Sequence, residues 1–266
     1  MPRFKTVLSN GLRYAAATAL ATCALQSNAE MNETTAKAVD AAVASDVRSA
    51  AEKTRDRNRM PKKTLAFFGL ENDMTVVEIF PGGGWYTKIL APVLAEDGQY
   101  IAAGGLGKAL GFGEVLAGVG EFPGKEQMKV VDISGALSNT ERFGMLNMKP
   151  ESLGTRKADL VLTFRNLHNL TAEGRKTMYQ AAFKALKKSG RFGVIDHTRR
   201  HMESTSDENW RRLDPVMVIQ EATDAGFQLV DFANLHYRPD DELRFEVGRK
   251  SVTGNTDRFT LLFEKQ

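Results

Sequence analysis

Residues 76–84, VVEIFPGGG, decide the fold of this chain. The stretch begins as a short apolar run, which is typical of a buried strand, and passes directly into a glycine turn. A helical pattern follows at residues 85–95, so the turn opens onto the amino end of a helix, where free amide groups can hold a polar ligand. We therefore predict the strand, turn and helix of a nucleotide-type site. The alternative is that PGGG only closes a tight turn between strand and helix.

Two features of this stretch indicate which residues contact a ligand. Glu78 lies at the carboxyl end of the strand, where its carboxylate can accept hydrogen bonds from hydroxyl or ammonium groups. The turn consists of Pro81, Gly82, Gly83 and Gly84, and glycine lets the backbone approach a ligand without a Cβ in the way. We predict that Glu78 and these turn residues line a cofactor site.

Strands and helices alternate along the rest of the chain. Upstream, residues 33–59 have apolar side chains three or four apart, which predicts a helix with one apolar stripe, and Pro61 can begin a short helix to residue 68. Downstream, short apolar runs predict six more strands, at residues 99–103, 129–134, 158–164, 191–196, 227–235 and 258–264. Helices are predicted at residues 172–188 and at residues 208–225, the second interrupted by Pro215.

This order of elements predicts an α/β fold. Continuous apolar strands separated by helices imply a parallel sheet that is covered on both faces. The last two strands have no helix between them and should form an antiparallel hairpin. Residues 104–124 contain eight glycines, so we predict a flexible segment there that can act as a lid, with a short helix at residues 108–116.

The first 29 residues have the pattern of a secretory signal peptide. Arg3, Lys5 and Arg13 precede an apolar run of twelve residues at 14–25, and small residues follow up to Ala29. The run is shorter than the roughly 20 residues that a membrane-spanning helix needs, so we predict no stable membrane span. We expect cleavage after Ala29 and a periplasmic or secreted protein. Lipidation at Cys23, or a leader that stays on a cytoplasmic protein, are the alternatives.

Charge and cysteine content exclude several classes of function. The chain has 36 Lys and Arg against 33 Asp and Glu, and the three basic residues of the leader account for the difference. The remaining chain is formally neutral, which gives no support to nucleic-acid binding. Because Cys23 is the only cysteine and lies in the leader, the rest of the chain has neither a disulfide nor a thiol nucleophile. Residues 30–70 are predicted to form a helical arm, and residues 71–266 one domain.

Polar side chains follow two predicted neighbouring strands at the point where each strand ends. Asn166 and His168 come after the strand at 158–164, whereas Asp196 and His197 end the strand at 191–196. Carboxyl ends of parallel strands converge on one crevice, so these residues are candidates for the general acid–base chemistry of a site. The alternative for each histidine is a loop residue bonded to the backbone. Asp132 ends the third strand, where it contacts a ligand or caps the next turn.

A metal site is a further alternative at this edge of the sheet. His197 and His201 are four residues apart, and Asp196 and Glu203 are close in sequence. The spacing suits a helix, but a strand is predicted to run into this region, and no second ligand cluster of known pattern accompanies it. We therefore predict no metal.

Five strand–helix units followed by an antiparallel hairpin resemble the class I S-adenosylmethionine-dependent methyltransferases. The motifs EIFPGGGWYTKILAP, RNLHNL, VIDH and TDRF are similar to those of a bacterial group of predicted methyltransferases that often carry signal peptides. The resemblance implies a Rossmann-like fold with a mostly parallel seven-stranded sheet, a C-terminal antiparallel hairpin and an N-terminal helical arm. It also implies S-adenosylmethionine as cofactor and a small molecule as the methyl acceptor.

The resemblance assigns roles to the candidate residues. It implies that His168, His197 and Asp196 are catalytic, that Asn166 binds the cofactor and that Asp132 lies near the adenine. The chain departs from the family in two places: Phe80 stands where the first glycine of the turn is usual, and Gly104-Gly105 replace an acid that holds the ribose. An exported, non-catalytic ligand-binding protein on the same scaffold is therefore the alternative function.

Overall fold

The computed structural model describes residues 31–109 and 114–266. The predicted signal peptide, its cleavage after Ala29 and lipidation at Cys23 lie outside the described residues. The described part contains nine strands, which are β1 (Thr75–Ile79), β2 (Gln99–Gly104), β3 (Lys129–Asp132), β4 (Leu137–Asn139), β5 (Leu146–Met148), β6 (Ala158–Phe164), β7 (Leu186–His197), β8 (Phe227–Ala233) and β9 (Arg258–Lys265).

Helices cover both faces of the sheet. Within the described ranges they are α1 (Glu33–Ala44), α2 (Ala50–Thr54), α3 (Asp56–Arg59), α4 (Pro61–Phe67), α5 (Thr87–Val93), α6 (Leu106–Ala109), α7 (Ala172–Ala185) and α8 (Pro215–Asp224). None of these helices has the length and apolar character that crossing a bilayer requires.

Seven strands form one sheet in the order β3-β2-β1-β6-β7-β9-β8. The pairs from β3 to β7 are parallel, whereas β9 pairs antiparallel with both β7 and β8. This confirms the predicted α/β sheet with its C-terminal antiparallel hairpin. The strand order reverses between β1 and β6, and in open α/β sheets ligands bind outside the carboxyl ends of the strands at such a switch point.

Two apolar cores lie on the two faces of the sheet. On one face, α7 and α8 pack against β6, β7 and the hairpin strands. On the other face, α1 and α4 of the arm pack with α5, so that Val39, Leu65 and Phe68 share a core with Val76 and Leu90. Full burial of each such side chain stabilises the fold by roughly 1.5–3 kcal/mol. The arm is thereby held close to the end of β1.

The single helix predicted for residues 33–59 is wrong, because three short helices occupy the segment. The first ends at Ala44, and Ser49 begins the second with a capping box, in which its hydroxyl accepts from Glu52 N and Glu52 accepts from Ser49 N. Met60 then takes a left-handed conformation with φ of 40°, and Pro61 begins α4. Local capping overrides the apolar periodicity here.

Three other predicted boundaries are corrected by the structure. The helix predicted to reach residue 188 ends at Ala185, and β7 begins at Leu186. Pro215 begins α8 instead of interrupting a longer helix, because Asp214 caps it by accepting from Val216 N at 2.9 Å. Part of the helix predicted at 108–116, residues 110–113, lies outside the described residues; α6 covers Leu106–Ala109, and turns follow from residue 115. The short hairpin of β4 and β5 had no clear sequence signal.

Candidate functional site

The glycine turn after β1 uses backbone conformations that favour glycine. Gly82 and Gly84 have φ of 57° and 74°, and Phe80 has φ of 54°. A side chain in this left-handed region costs about 1–2 kcal/mol. Phe80 therefore holds a left-handed backbone conformation that glycine would adopt without this cost. Its amide donates to Ala103 O at 2.8 Å, which ties the turn to β2.

A cavity of about 280 Å³ opens on one side of this turn. We call it the glycine cavity, because Gly82 and Gly83 form one wall and Gly104 and Gly105 at the end of β2 form another. A Cβ placed on Gly82 or Gly83 would meet no atom within 4 Å. At these two residues the turn thus presents bare backbone to an open space. Glu114 also lines this cavity.

The other predicted turn residues divide between the cavity and the protein interior. Pro81 lines the cavity, whereas Gly84 is covered by Val119 and Leu116. A Cβ at Gly84 would lie 2.9 Å from Val119 Cγ1, so this glycine serves close packing of the segment at residues 114–119. That segment forms the outer wall of the glycine cavity.

A second cavity, of about 270 Å³, lies on the other side of the same turn. We call it the strand-end cavity, since it opens at the carboxyl ends of β1 and β6. It shares Phe80, Pro81, Gly82 and Gly83 with the glycine cavity. Its remaining lining residues come from the arm, β1, the start of the helix after the turn, and the end of β6: Glu52, Arg55, Arg59, Glu78, Trp85, Tyr86, Phe164, Arg165 and Asn166.

Glu78 lines the strand-end cavity but is almost fully buried. Its Oε2 accepts from Tyr100 Oη at 2.5 Å and from Thr87 Oγ1 at 3.4 Å. Burial raises the pKa of its carboxyl to about 7, although these two hydrogen bonds and the Arg59 charge act in the opposite direction. A partner that carries a positive charge would favour the ionised carboxylate.

Asn166 holds the turn in place from the neighbouring strand. Its side-chain amide donates to Ile79 O at 3.1 Å and to Phe80 O at 3.2 Å. Asn166, which was predicted to contact the cofactor, therefore lines the strand-end cavity and also fixes the backbone that shapes this cavity.

The three predicted catalytic residues come together in one buried cluster. Asp196 Oδ1 lies 2.6 Å from His168 Nδ1 and accepts from His197 N at 2.7 Å. Because a carboxylate only accepts, this geometry assigns the Nδ1 proton to His168 and leaves Nε2 as the basic nitrogen of the neutral ring. His197 Nδ1 lies 2.8 Å from Thr256 Oγ1, and the two imidazole rings meet edge to face at 4.9 Å.

None of these three residues lines the glycine cavity or the strand-end cavity. His168 and His197 are buried, and Asp196 is completely enclosed. Burial lowers the pKa of His197 well below its usual value, and the neighbouring His168 and Arg258 act in the same direction, so its ring is neutral at pH 7. The donor atoms of the three residues lie within 4.8 Å of one another, which is close enough for a metal ion. Both Nδ1 atoms are already engaged by protein partners.

His201 and Asp132 both make contacts within the protein. His201 Nδ1 lies 2.9 Å from Asp214 Oδ2, so this histidine bonds to the cap of α8 and does not join His197. Asp132 accepts from Ser134 N at 2.8 Å and pairs with Lys108 at 3.0 Å. These contacts hold the pKa of Asp132 down to about 2. Its predicted contact with an adenine stays a prediction.

Sequence reasoning did not select the arginines of this region as site residues. Arg59 of the arm is buried, and its guanidinium lies 4.3 Å from the centroid of the Trp85 ring. Arg165 follows β6 with φ of 63°, and Arg258 begins β9. Arg165 and Arg258 stand in the motifs RNLHNL and TDRF, which was the only sequence signal for either.

Comparison with known proteins identifies the fold. No known protein family and no curated protein matches the chain in sequence. Among solved structures, a S-adenosylmethionine-dependent methyltransferase from Aquifex aeolicus superimposes with a TM-score of 0.50 at 15% identity, over 80% of this chain and 93% of that one. The chain has the class I methyltransferase fold.

Two further solved structures have lower TM-scores. Human N-acetylserotonin methyltransferase, in complex with S-adenosylmethionine, gives 0.48 at 14% identity, over 81% of this chain and 54% of that one. The 1,6-didemethyltoxoflavin-N1-methyltransferase of Burkholderia thailandensis, with S-adenosylhomocysteine bound, superimposes with a TM-score of 0.47 at 13% identity. The match covers 82% of this chain and 79% of that one.

Proposed function

We propose that the protein binds S-adenosylmethionine at the carboxyl end of β1 and transfers its methyl group to a small molecule. The observation that carries this proposal is the open cradle at Gly82 and Gly83, where a Cβ would meet no atom within 4 Å. The cradle adjoins the switch point between β1 and β6. Cavities on its two sides provide separate space for a nucleoside and for an amino-acid chain.

The residues around the cradle suit the parts of this cofactor. Gly82 and Gly83 offer backbone to the adenosine, and the buried carboxylate of Glu78 suits the ammonium group of the methionine part. Glu114 lines the glycine cavity beside Gly104 and Gly105, and it supplies the carboxylate that the end of β2 lacks. We assign it to the ribose hydroxyls. When bound, S-adenosylmethionine supplies an electrophilic methyl group.

Methyl transfer is an in-line displacement, so the chain's main task is to orient the acceptor. An acceptor hydroxyl or amine also has a proton to lose. We assign His168 as the base, because Asp196 fixes its Nδ1 proton and leaves Nε2 free to take another. His197 and Thr256 hold the other side of this cluster. Asn166 keeps the turn aligned with β6.

One observation favours the second candidate, a ligand-binding protein without turnover. His168, Asp196 and His197 are buried, none of them lines the glycine cavity or the strand-end cavity, and each makes hydrogen bonds to protein partners. In that case the cluster only stiffens the loops that carry Asn166. Binding of S-adenosylmethionine without consumption in the presence of candidate acceptors would favour this alternative.

We further propose that the protein is exported, on the basis of its predicted signal peptide. S-adenosylmethionine is made from ATP inside cells, so an exported enzyme would depend on supply of its donor. Mass spectrometry of the protein from its native host tests the proposal: we expect an N-terminus at residue 30. An intact leader would contradict export by cleavage, and a lipid on Cys23 would indicate anchoring.

Calorimetric titration with S-adenosylhomocysteine tests the proposed cofactor. We expect binding to the purified protein at micromolar concentrations, and at least a hundredfold weaker binding to Gly83→Leu, because the new side chain would project into both cavities. Gly135→Leu is the matched control, since a Cβ there also meets no atom within 4 Å and Gly135 lines neither cavity. No heat at millimolar ligand would remove the methyltransferase proposal.

A further inference from the structure

A third cavity, of about 220 Å³, adjoins the strand-end cavity on the side of the arm. Half of its ten lining residues are arginines, and they come from three separate parts of the chain: the arm, the end of β6 and the start of β9. We call it the arginine pocket. The arginines are Arg55, Arg57, Arg59, Arg165 and Arg258.

The positive charges of this pocket are not balanced by acidic groups. In the described ranges, no salt bridge joins Arg55, Arg59, Arg165 or Arg258 to a carboxylate, although salt bridges occur elsewhere in the arm. Burial lowers the pKa of Arg59 and of Arg258, and in both cases Arg165 lowers it further. The Arg59 charge acts on the carboxyl of Glu78, but the pKa of Glu78 is raised to about 7, so this carboxyl is partly protonated at neutral pH.

Arg258 has unused hydrogen-bonding capacity. Its side chain is buried, and within the described residues its Nε has no hydrogen-bond partner. Its two terminal nitrogens reach Asn58 O and Thr256 Oγ1 only at 3.4 Å. An uncompensated buried charge costs several kcal/mol. An anion bound among the arginines of the pocket would offset this cost. Arginine forks match the geometry of carboxylate and phosphate groups.

The pocket is continuous with the proposed reaction site. Arg55, Arg59 and Arg165 line both the arginine pocket and the strand-end cavity. Arg59 is fixed by the Trp85 ring on which it lies, and Trp85 Nε1 donates to Glu52 O at 3.0 Å. An anionic group held by these arginines would leave the rest of its molecule facing Glu78 and the glycine turn.

We propose that the arginine pocket binds a carboxylate or phosphate group of the methyl acceptor, so that the acceptor is a small anionic molecule. This inference rests on the proposed methyltransferase function. The carboxylate of the donor's own methionine part is the other anion that could occupy the pocket. The experiment therefore separates the donor from other anions.

Calorimetric titrations of the purified protein with inorganic phosphate and with citrate measure the affinity of the arginine pocket for anions. We expect millimolar or tighter binding at low salt, weakened at least tenfold in Arg258→Met. Arg55→Met is the second variant, because Arg55 is exposed and its loss leaves the core intact. Arg156→Met is the matched control: it removes the same charge from an exposed position before the amino end of β6, and it should bind both probes as the wild type does.

Titrations with S-adenosylhomocysteine and with 5′-methylthioadenosine, which lacks the amino-acid part, identify the source of the anion. We expect both arginine variants to bind each nucleoside within threefold of the wild type. A tenfold loss for S-adenosylhomocysteine alone would assign the pocket to the donor and overturn the proposal. Unchanged phosphate and citrate binding in both variants would also overturn it. Arginine-dependent anion binding without nucleoside binding would contradict the proposed function and leave an anion site.

Discussion

The glycine cavity and the arginine pocket lie near one edge of the same sheet, but they are built in opposite ways. Backbone of Gly82, Gly83, Gly104 and Gly105 forms much of the first, and strand order alone brings these residues together. Side chains form the second, and they come from segments almost 200 residues apart in the chain. The difference teaches that the fold builds the proposed donor site, whereas the proposed acceptor site depends on this chain's own arginines.

The largest expected effect concerns the contact that joins the arm to the hairpin. His236 Nδ1 lies 2.7 Å from Thr260 Oγ1, and its Nε2 lies 3.1 Å from Arg59 O. Burial lowers the pKa of His236 from 6.5 to about 4, and the nearby Arg258 charge adds to the shift. The unfolded chain therefore takes up this proton first, and stability that is present above pH 6.5 is lost as the pH falls toward 4.

We expect this histidine to remove up to about 3 kcal/mol from the free energy of unfolding between pH 6.5 and 4. Urea unfolding of the wild type and of His236→Gln across this range measures the effect. The variant should lose less stability than the wild type as the pH falls. Equal pH dependence in both proteins would show that His236 does not hold the arm in place, and the arginine pocket would then need another anchor.

The next effect tests the contact assigned to Glu78. This residue lines the strand-end cavity, which adjoins both the glycine cavity and the arginine pocket. Its raised pKa of about 7 means that an ammonium group should bind better as the carboxyl ionises. We expect the affinity for S-adenosylhomocysteine to rise about tenfold between pH 6 and pH 8. Glu78→Gln should bind more weakly and with little pH dependence. A wild-type affinity that is constant over this range would contradict the assigned contact.

The smallest effect compares two acids near the glycine cavity. Both acids pair with Lys108, but Glu114 lines the cavity, whereas Asp132 does not line it and also accepts from Ser134 N. Calorimetry should therefore find S-adenosylhomocysteine bound about fivefold more weakly by Glu114→Gln, which is near the 1 kcal/mol typical of one hydrogen bond. Asp132→Asn should change the affinity less than twofold. The opposite ranking would restore Asp132 as the adenine contact implied by the family resemblance.

The sequence predicted the sheet well because its signals are local. Apolar runs of strand length, separated by helical patterns, defined the seven strands, and the strand at 158–164 had the bounds of β6. The meeting of His168, Asp196 and His197 also followed from the sequence, because residues after neighbouring parallel strands converge. Helix ends were less predictable where caps such as Ser49 and Asp214 overrode the apolar pattern.

The arginine pocket was not predictable, because its assembly depends on contacts between distant segments. Nothing in the sequence near Arg59 indicates that Trp85 will cover it or that His236 will bond to its carbonyl. A helical residue with a charged side chain is usually solvated, and that rule failed here because the arm docks over the end of β1.

A crystal structure of the protein with S-adenosylhomocysteine tests the central claim most directly. The account predicts adenosine in the glycine cavity against Gly82 and Gly83, with the amino group of the ligand within hydrogen-bond distance of Glu78. Density for the nucleoside at another place, or an empty glycine cavity at millimolar ligand, would contradict it.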